Sequence, residues 1–130
     1  MAFQAKLKLG SKEFDVISCN YSFHRDVDPK GRPASAVYGG VINLVVESTA
    51  DTSIVESMVN NQFKPQDGTV TFKKSDEDSK MKELSFSKGY IVQYSEGIDS
   101  VGSQPMLIHF TVSAQTIKIG SAEHKNDWPV

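Results

Sequence analysis

This 130-residue sequence has few of the residue groupings that chemistry requires, and each gap removes a class of function. Its one cysteine, Cys19, permits no internal disulfide, and no CxxC or Cys/His pair offers a metal clip. Lying in an apolar strand pattern, Cys19 reads as a small buried hydrophobe more readily than as a reactive thiol. The three histidines, His24, His109 and His124, have neither HxxxH nor HExxH spacing. Asp76 and Asp78 resemble the opening of a calcium loop, but Met81 falls where glycine is required and Ser87 where a bidentate Glu is required. Gly97 and Gly102 have phosphate-loop spacing, yet Ser103-Gln104 follow in place of the lysine and hydroxyl that hold phosphate and metal. There is no GxSxG elbow, and no base stands beside a nucleophile. The expectation is a protein that is not an enzyme and has no catalytic, cofactor or metal site.

Long apolar runs are missing too. No stretch approaches the roughly 18 consecutive apolar residues of a membrane helix. The N-terminal MAFQAKLKLGSKEF alternates apolar and polar residues where a secretory signal has an apolar block. Synthesis and folding in the cytoplasm, without membrane insertion, are therefore expected. The Asn20-Tyr21-Ser22 sequon is then a chance match. Basic residues number 14 against 16 acidic ones, mixed along the chain for a net charge of −2. With no basic stripe, nucleic acid is not an expected partner.

What the sequence does have is a period of two. Phe3, Ala5, Leu7 and Leu9 alternate with Gln4, Lys6 and Lys8, and Gly10-Ser11-Lys12 makes a tight connection. The next strand carries Phe14, Val16, Cys19, Tyr21 and Phe23, and the phase skip after Val16 predicts a bulge near Ile17 or Ser18. Residues 25–36 contain two prolines, a glycine and little to bury, a length of loop that is commonly either functional or disordered. Residues 41–46 are rich in β-branched side chains on both faces, which predicts a strand covered on both. Ser53 and Glu56 form a capping-box pattern ahead of Ile54, Val55, Met58 and Val59, which predicts one helix of eight to ten residues. Such a helix plugs a barrel end or covers a sheet edge. Val70, Phe72, Leu84, Phe86, Tyr90, Val92 and Tyr94 continue the strand pattern, with a solvated charged turn at 73–80 and Gly89 as a bend. After a polar loop at 96–105, Met106, Ile108, Phe110 and Val112 face one way and His109, Thr111 and Ser113 the other, with Ile117 and Ile119 beyond. Six to eight strands and one helix predict a small antiparallel β-barrel, mostly β, as one domain over residues 1–130.

The run Phe23-His24-Arg25-Asp26-Val27-Asp28, then Gly31-Arg32-Pro33, then Gly39-Gly40 before a strand and a short helix, resembles Hcp (TssD), the tube protein family of type VI secretion systems. Lys73-Lys74-Ser75-Asp76-Glu77-Asp78 and the closing Trp128-Pro129 resemble the short branch of that family found in Bacteroidota. The likeness spans essentially the whole chain. It implies a barrel with one helix and a long extended loop that assembles into homohexameric rings. The rings stack into a tube, expelled without a signal peptide by a contractile sheath, tipped by a spike and carrying effectors in the lumen. It also implies that the loop after the second strand touches neighbouring subunits, with Arg25, Asp26, Val27, Asp28, Arg32, Pro33 and Tyr38 as the candidate interface residues. A water-filled lumen calls for polar lining residues such as Ser, Thr, Gln and Lys. The competing reading is a small-ligand carrier, with Phe3, Phe14, Tyr21, Phe23, Phe72, Phe86 and Phe110 lining a cavity.

Overall fold

A computed structural model describes residues 3–60, 63–74, 80–102 and 105–128. Residues 75–79 of the charged turn, Ser103-Gln104 and Pro129 lie outside these, while Lys73 and Lys74 belong to a strand. The first hairpin joins β1 (Phe3–Leu9) to β2 (Lys12–Tyr21) through Gly10-Ser11, with Gly10 at φ +62° where a side chain would be strained. There follow β3 (Val41–Glu47), α1 (Ser53–Val59), β4 (Gln66–Lys74), β5 (Lys80–Gly97), β6 (Leu107–Ile119) and β7 (Ala122–Lys125). All pairings are antiparallel in the order β3-β2-β1-β4-β5-β6, and β3 also pairs with β6. That last pairing closes a six-stranded barrel, with β7 appended to the end of β6.

Three long strands each serve two walls. One wall is four strands wide: residues 16–21 of β2, then β3, residues 107–113 of β6, and residues 90–97 of β5. The other wall contains residues 12–15 of β2, then β1, β4, residues 80–89 of β5, the end of β6, and β7. Phe86 marks the joint. A methyl group on Gly68 or Gly89 would lie 2.5 or 2.8 Å from its ring, so the ring fills the slot that these two glycines leave open. Beside it, Lys88 takes φ +51° and its N–H donates to Asp67 Oδ1 at 3.0 Å.

Among the described residues fifteen buried apolar side chains fill the interior, Leu7, Phe14, Leu44, Val70, Leu84, Phe86 and Phe110 among them, and no polar residue is buried. Of the aromatics that a carrier would use to line a cavity, Phe14, Phe86 and Phe110 are core, Tyr21 and Phe72 pack against it, and Phe23 is exposed outside it. Cys19 joins this packing, and burial pushes its thiol up to about 11. The bulge in β2 falls where the phase skip places it. Pairing with β3 slips between Val16 and Ser18, leaving Ile17 as the extra residue and keeping Phe14, Val16, Cys19 and Tyr21 on the core side.

Three expectations need correction. The β3 strand is covered on one face only: Ile42, Leu44 and Val46 are buried, whereas Val41, Asn43 and Glu47 are exposed. In β5 a second bulge at Val92 shifts the pairing between Ile91 and Gln93, so Ile91 and Tyr94 pack on the core and Val92 is exposed. The helix has seven residues, and Thr52 precedes its first turn in place of Ser53. The Thr52 hydroxyl meets the Glu56 carboxylate, and Asp51 Oδ1 accepts the Ser53 N–H at 2.7 Å. Of its apolar residues only Ile54 is buried, joining the core, and α1 packs against β5.

Candidate assembly surfaces

Residues 22–40 leave the barrel between β2 and β3 and fold back as a two-stranded arm. The backbones of His24 and Tyr38 exchange hydrogen bonds of 3.0 and 2.6 Å, Ala34 N–H donates to Asp26 O at 2.7 Å, and Asp28 N–H donates to Arg32 O at 2.8 Å. The tip turns on Asp28, whose Oδ1 accepts the N–H groups of Lys30 and Arg32, both at 2.9 Å, while Oδ2 accepts Arg32 Nε at 2.9 Å. The backbone N–H of Arg32, foremost among these bonds, holds the Asp28 carboxyl below its ordinary range. Gly31 closes the turn at φ +85°. Tyr38 donates its hydroxyl to Asp26 Oδ2 at 2.9 Å and lays its ring against His24. Asp26 N–H donates to Ser35 Oγ at 2.8 Å.

The structure thus gathers all seven candidate interface residues on one arm and divides them by role. Asp26, Asp28, Arg32 and Tyr38 spend their polar groups within the arm, and Pro33 bridges back to Val27. Outward go Val27, 65% exposed, and the cations of Arg25 and Lys30, which have no partner among the described residues. Lys30 was not in the sequence-derived set. The arm is built rigid and offers one apolar knob with two positive charges.

The four-stranded wall supplies a second surface that the sequence pattern did not single out. Its outward side carries Ser18 and Asn20 from β2, Asn43 from β3, His109 and Thr111 from β6, and Gln93 and Ser95 from β5. Asn43 Nδ2 donates to Asn20 Oδ1 at 3.1 Å, and Thr111 Oγ1 donates to Asn43 Oδ1 at 2.9 Å, a ladder across three strands. Among the described residues only Glu47, at the rim, carries a permanent charge on this side. The wall also ends in two unpaired edges. Residues 16–21 of β2 pair with β3 alone and residues 90–97 of β5 with β6 alone. Each edge strand has a bulge, and each bulge exposes an apolar residue, Ile17 on β2 and Val92 on β5. Bulges of this kind twist an edge and blunt indiscriminate pairing, leaving it to a neighbour that matches its shape.

The end of this wall opposite the arm is acidic. Glu47, Glu96 and Asp99 gather there with the exposed Ile98 and Val101. Tyr94 donates its hydroxyl to Glu96 Oε1 at 3.0 Å, and burial, helped by that carboxylate, raises the phenol to about 12. The Ser48 hydroxyl meets the other Glu96 oxygen, tying the end together. His24, His109 and His124 lie on the arm, the four-stranded wall and β7, and no three described His, Cys, Asp or Glu side chains cluster as metal ligands. None of the described helices is long and apolar enough to cross a membrane.

The sequence profile of the Hemolysin coregulated protein Hcp (TssD) family matches residues 1–129. Among solved structures, Hcp1 from Flavobacterium johnsoniae is 36% identical, superimposes with a TM-score of 0.88, and is matched over 95% of this chain and 99% of its own. Hcp1 from Salmonella typhimurium shares the fold at 14% identity and a TM-score of 0.74, over 92% of this chain and 86% of that one. So does a chain of the sheath-tube complex of an extracellular contractile injection system, PVC, in its extended state, at 13% identity and a TM-score of 0.61 over 91% and 88%. No curated protein matches.

Proposed function

The chain belongs to the Hcp (TssD) family, and on that premise we propose that it is the repeating subunit of a type VI secretion inner tube, a structural protein and not an enzyme. One observation carries this reading: a wall that is almost uncharged outside and unpaired at both edges. Along it β2, β3, β6 and β5 alternate in direction, so the β5 edge of one copy meets the β2 edge of the next as an antiparallel neighbour. Contacts of that head-to-tail kind close into rings. Six copies would line a pore with Asn, Ser, Thr, Gln and His, without the Lys that the sequence reading included.

Stacking follows from the two ends. The arm presents Arg25, Lys30 and Val27, and the far end presents Glu96, Asp99, Ile98 and Val101. Complementary charge and exposed apolar surface favour the arm of one ring against the far end of the next. In this reading residues 1–130 act as one domain, the tube waits in the cytoplasm, and it leaves through the type VI apparatus. A contractile sheath surrounds it, a spike caps it, and effectors occupy its lumen.

Sedimentation and light scattering from micromolar to near-millimolar concentration test the reading, with electron microscopy of the product. Rings of six are expected, and a single-chain species throughout that range overturns it. Replacing residues 26–35 by a short Gly/Ser linker is expected to leave the barrel folded and to abolish stacking and secretion. Stacking equal to the parent's at the same concentration would reduce the arm to ordinary surface.

A further inference from the structure

The arm stands on a root that the far end of the chain holds in place. Its last two residues are Gly39 and the buried Gly40, and Asn126, just beyond β7, reaches both. Asn126 Nδ2 donates to Gly39 O at 3.0 Å and to Ala114 O at 3.2 Å, while its own N–H donates to Gln115 O at 2.7 Å. Both amide hydrogens are thereby used, and the remaining oxygen faces His124 Nε2 at 3.0 Å. The His124 ring packs edge-on against Phe23, at the arm's other strand, with 5.5 Å between centroids. Gly40 takes φ +105°, and a methyl group there would lie 2.3 Å from Asn126 Nδ2 and 2.7 Å from Ala114 O. One on Gly39 would lie 2.4 Å from the Phe23 ring. Both glycines are therefore required by the close approach of Asn126 and Phe23, and Gly40 by its backbone angle as well.

From this geometry we propose that Asn126 is a positioning residue for the arm, fixing the angle at which Arg25, Val27 and Lys30 are presented to the neighbouring subunit. The inference rests on the reading that the arm joins subunits. Nothing in the barrel requires the clamp. Asn126 spans the arm root and the β6–β7 segment, and the six strands close without it. A rigid arm pays its ordering entropy at folding rather than at docking, so releasing the root weakens assembly even though the arm's contact residues are untouched. Two donated hydrogen bonds aimed at two carbonyls also explain why the amide is needed: a carboxylate of the same shape would set oxygen against oxygen.

The test uses three variants of the full chain: Asn126→Asp, Asn126→Ala, and the arm-replaced protein described above. Amide exchange is followed at His24, Asp28, Ala34 and Tyr38, at a concentration where light scattering reports single chains. Assembly is measured at higher concentration and the melting temperature alongside. Asn126→Asp is expected to speed exchange across the arm at least tenfold and to raise the concentration needed for assembly by a similar factor, with Asn126→Ala intermediate. The melting temperature should fall by only a few degrees. If Asn126→Asp proves too unstable to purify, Asn126→Ala carries the same test without the repulsion. Exchange at the parent's rate in both variants overturns the clamp, as does an assembly loss no larger than that of a core variant with the same melting temperature. If the arm-replaced protein assembles like the parent, the assembly reading of the arm is what fails, and the exchange data still judge the clamp.

Discussion

The two walls of the barrel share three strands and differ in almost everything they show to solvent. The four-stranded wall presents amides and hydroxyls bonded to one another through Asn20, Asn43 and Thr111. The other wall presents alternating charge, with Lys6 bridged to Asp15 at 3.0 Å and Lys8, Glu13, Lys118 and Glu123 around it. Period-two alternation alone would continue one chemistry along a strand. Here the bulges at Ile17 and Val92 and the joint at Phe86 re-phase β2 and β5, so each strand supplies inward residues to one core while changing the character of its outer face. A ring needs such a molecule, with one wall for the enclosed space and another for the outside.

The largest test of that comparison strikes what the walls share. Phe86→Ala empties the slot between Gly68 and Gly89, and equilibrium urea unfolding should show a loss of about 3–5 kcal/mol. A loss below about 1 kcal/mol would mean the walls are organised elsewhere. Next comes the inner side of the four-stranded wall, where Cys19 is packed. With its thiol raised from 9.0 to about 11, the thiolate is roughly a hundredfold scarcer at pH 8 than in the unfolded chain. Alkylation should be slower by at least that factor, climb about tenfold per pH unit between 8 and 10, and become rapid in urea. Prompt labelling of the folded protein would show the wall to be open.

On its outer side, Asn43→Lys removes both ladder bonds and puts a charge in every copy on the uncharged face. Ring formation should weaken tenfold or more in low salt and recover partly as salt screens the repulsion. Lys8→Gln on the opposite wall should leave assembly and melting temperature where they were. If the two substitutions act alike, the walls do not differ in the way described.

The smallest effect concerns the arm. The folded-state pKa of Asp28 is lowered, so its hydrogen bonds support the tip above the ordinary carboxylate range and are lost as pH falls through the lowered value. Arm amides should keep their protection at pH 5 and lose it only under more acidic conditions, as exchange corrected for intrinsic rates would show. Loss between pH 6 and 5 would contradict this.

Much of the barrel was legible because its signals are local. The skip from Val16 to Cys19 located a bulge, Gly10-Ser11 a hairpin, and the order of motifs from Phe23 to Gly40 a family. The bulge at Val92 was hidden because Tyr90 and Tyr94 bracket it with aromatic residues in apparent phase, although Tyr90 packs on Trp128 and Tyr94 on the core. A β-branched strand says nothing of which face is covered, and β3 has one. Thr52 took the cap from Ser53 because the Asp51 carboxylate accepts the Ser53 N–H and the Thr52 carbonyl accepts the Glu56 N–H, while the Thr52 hydroxyl donates to the Glu56 carboxylate. The Asn20–Asn43–Thr111 ladder and the Asn126 clamp join residues 12 to 87 positions apart, and a lone asparagine has no periodicity to betray it.

The four-stranded wall has a property of parity. Because its strand count is even, its two outermost strands run in opposite senses, and any number of copies can be joined without a seam of like-directed neighbours. An odd count would demand one parallel pairing at every junction. Pairing therefore imposes no ring size, and the size is set by how far each wall turns relative to the next. A bulge bends its strand and increases the local twist, and both edge strands carry one. Deleting Ile17 or Val92 should thus change the number of copies in the ring, a result visible by electron microscopy as rings of a different diameter.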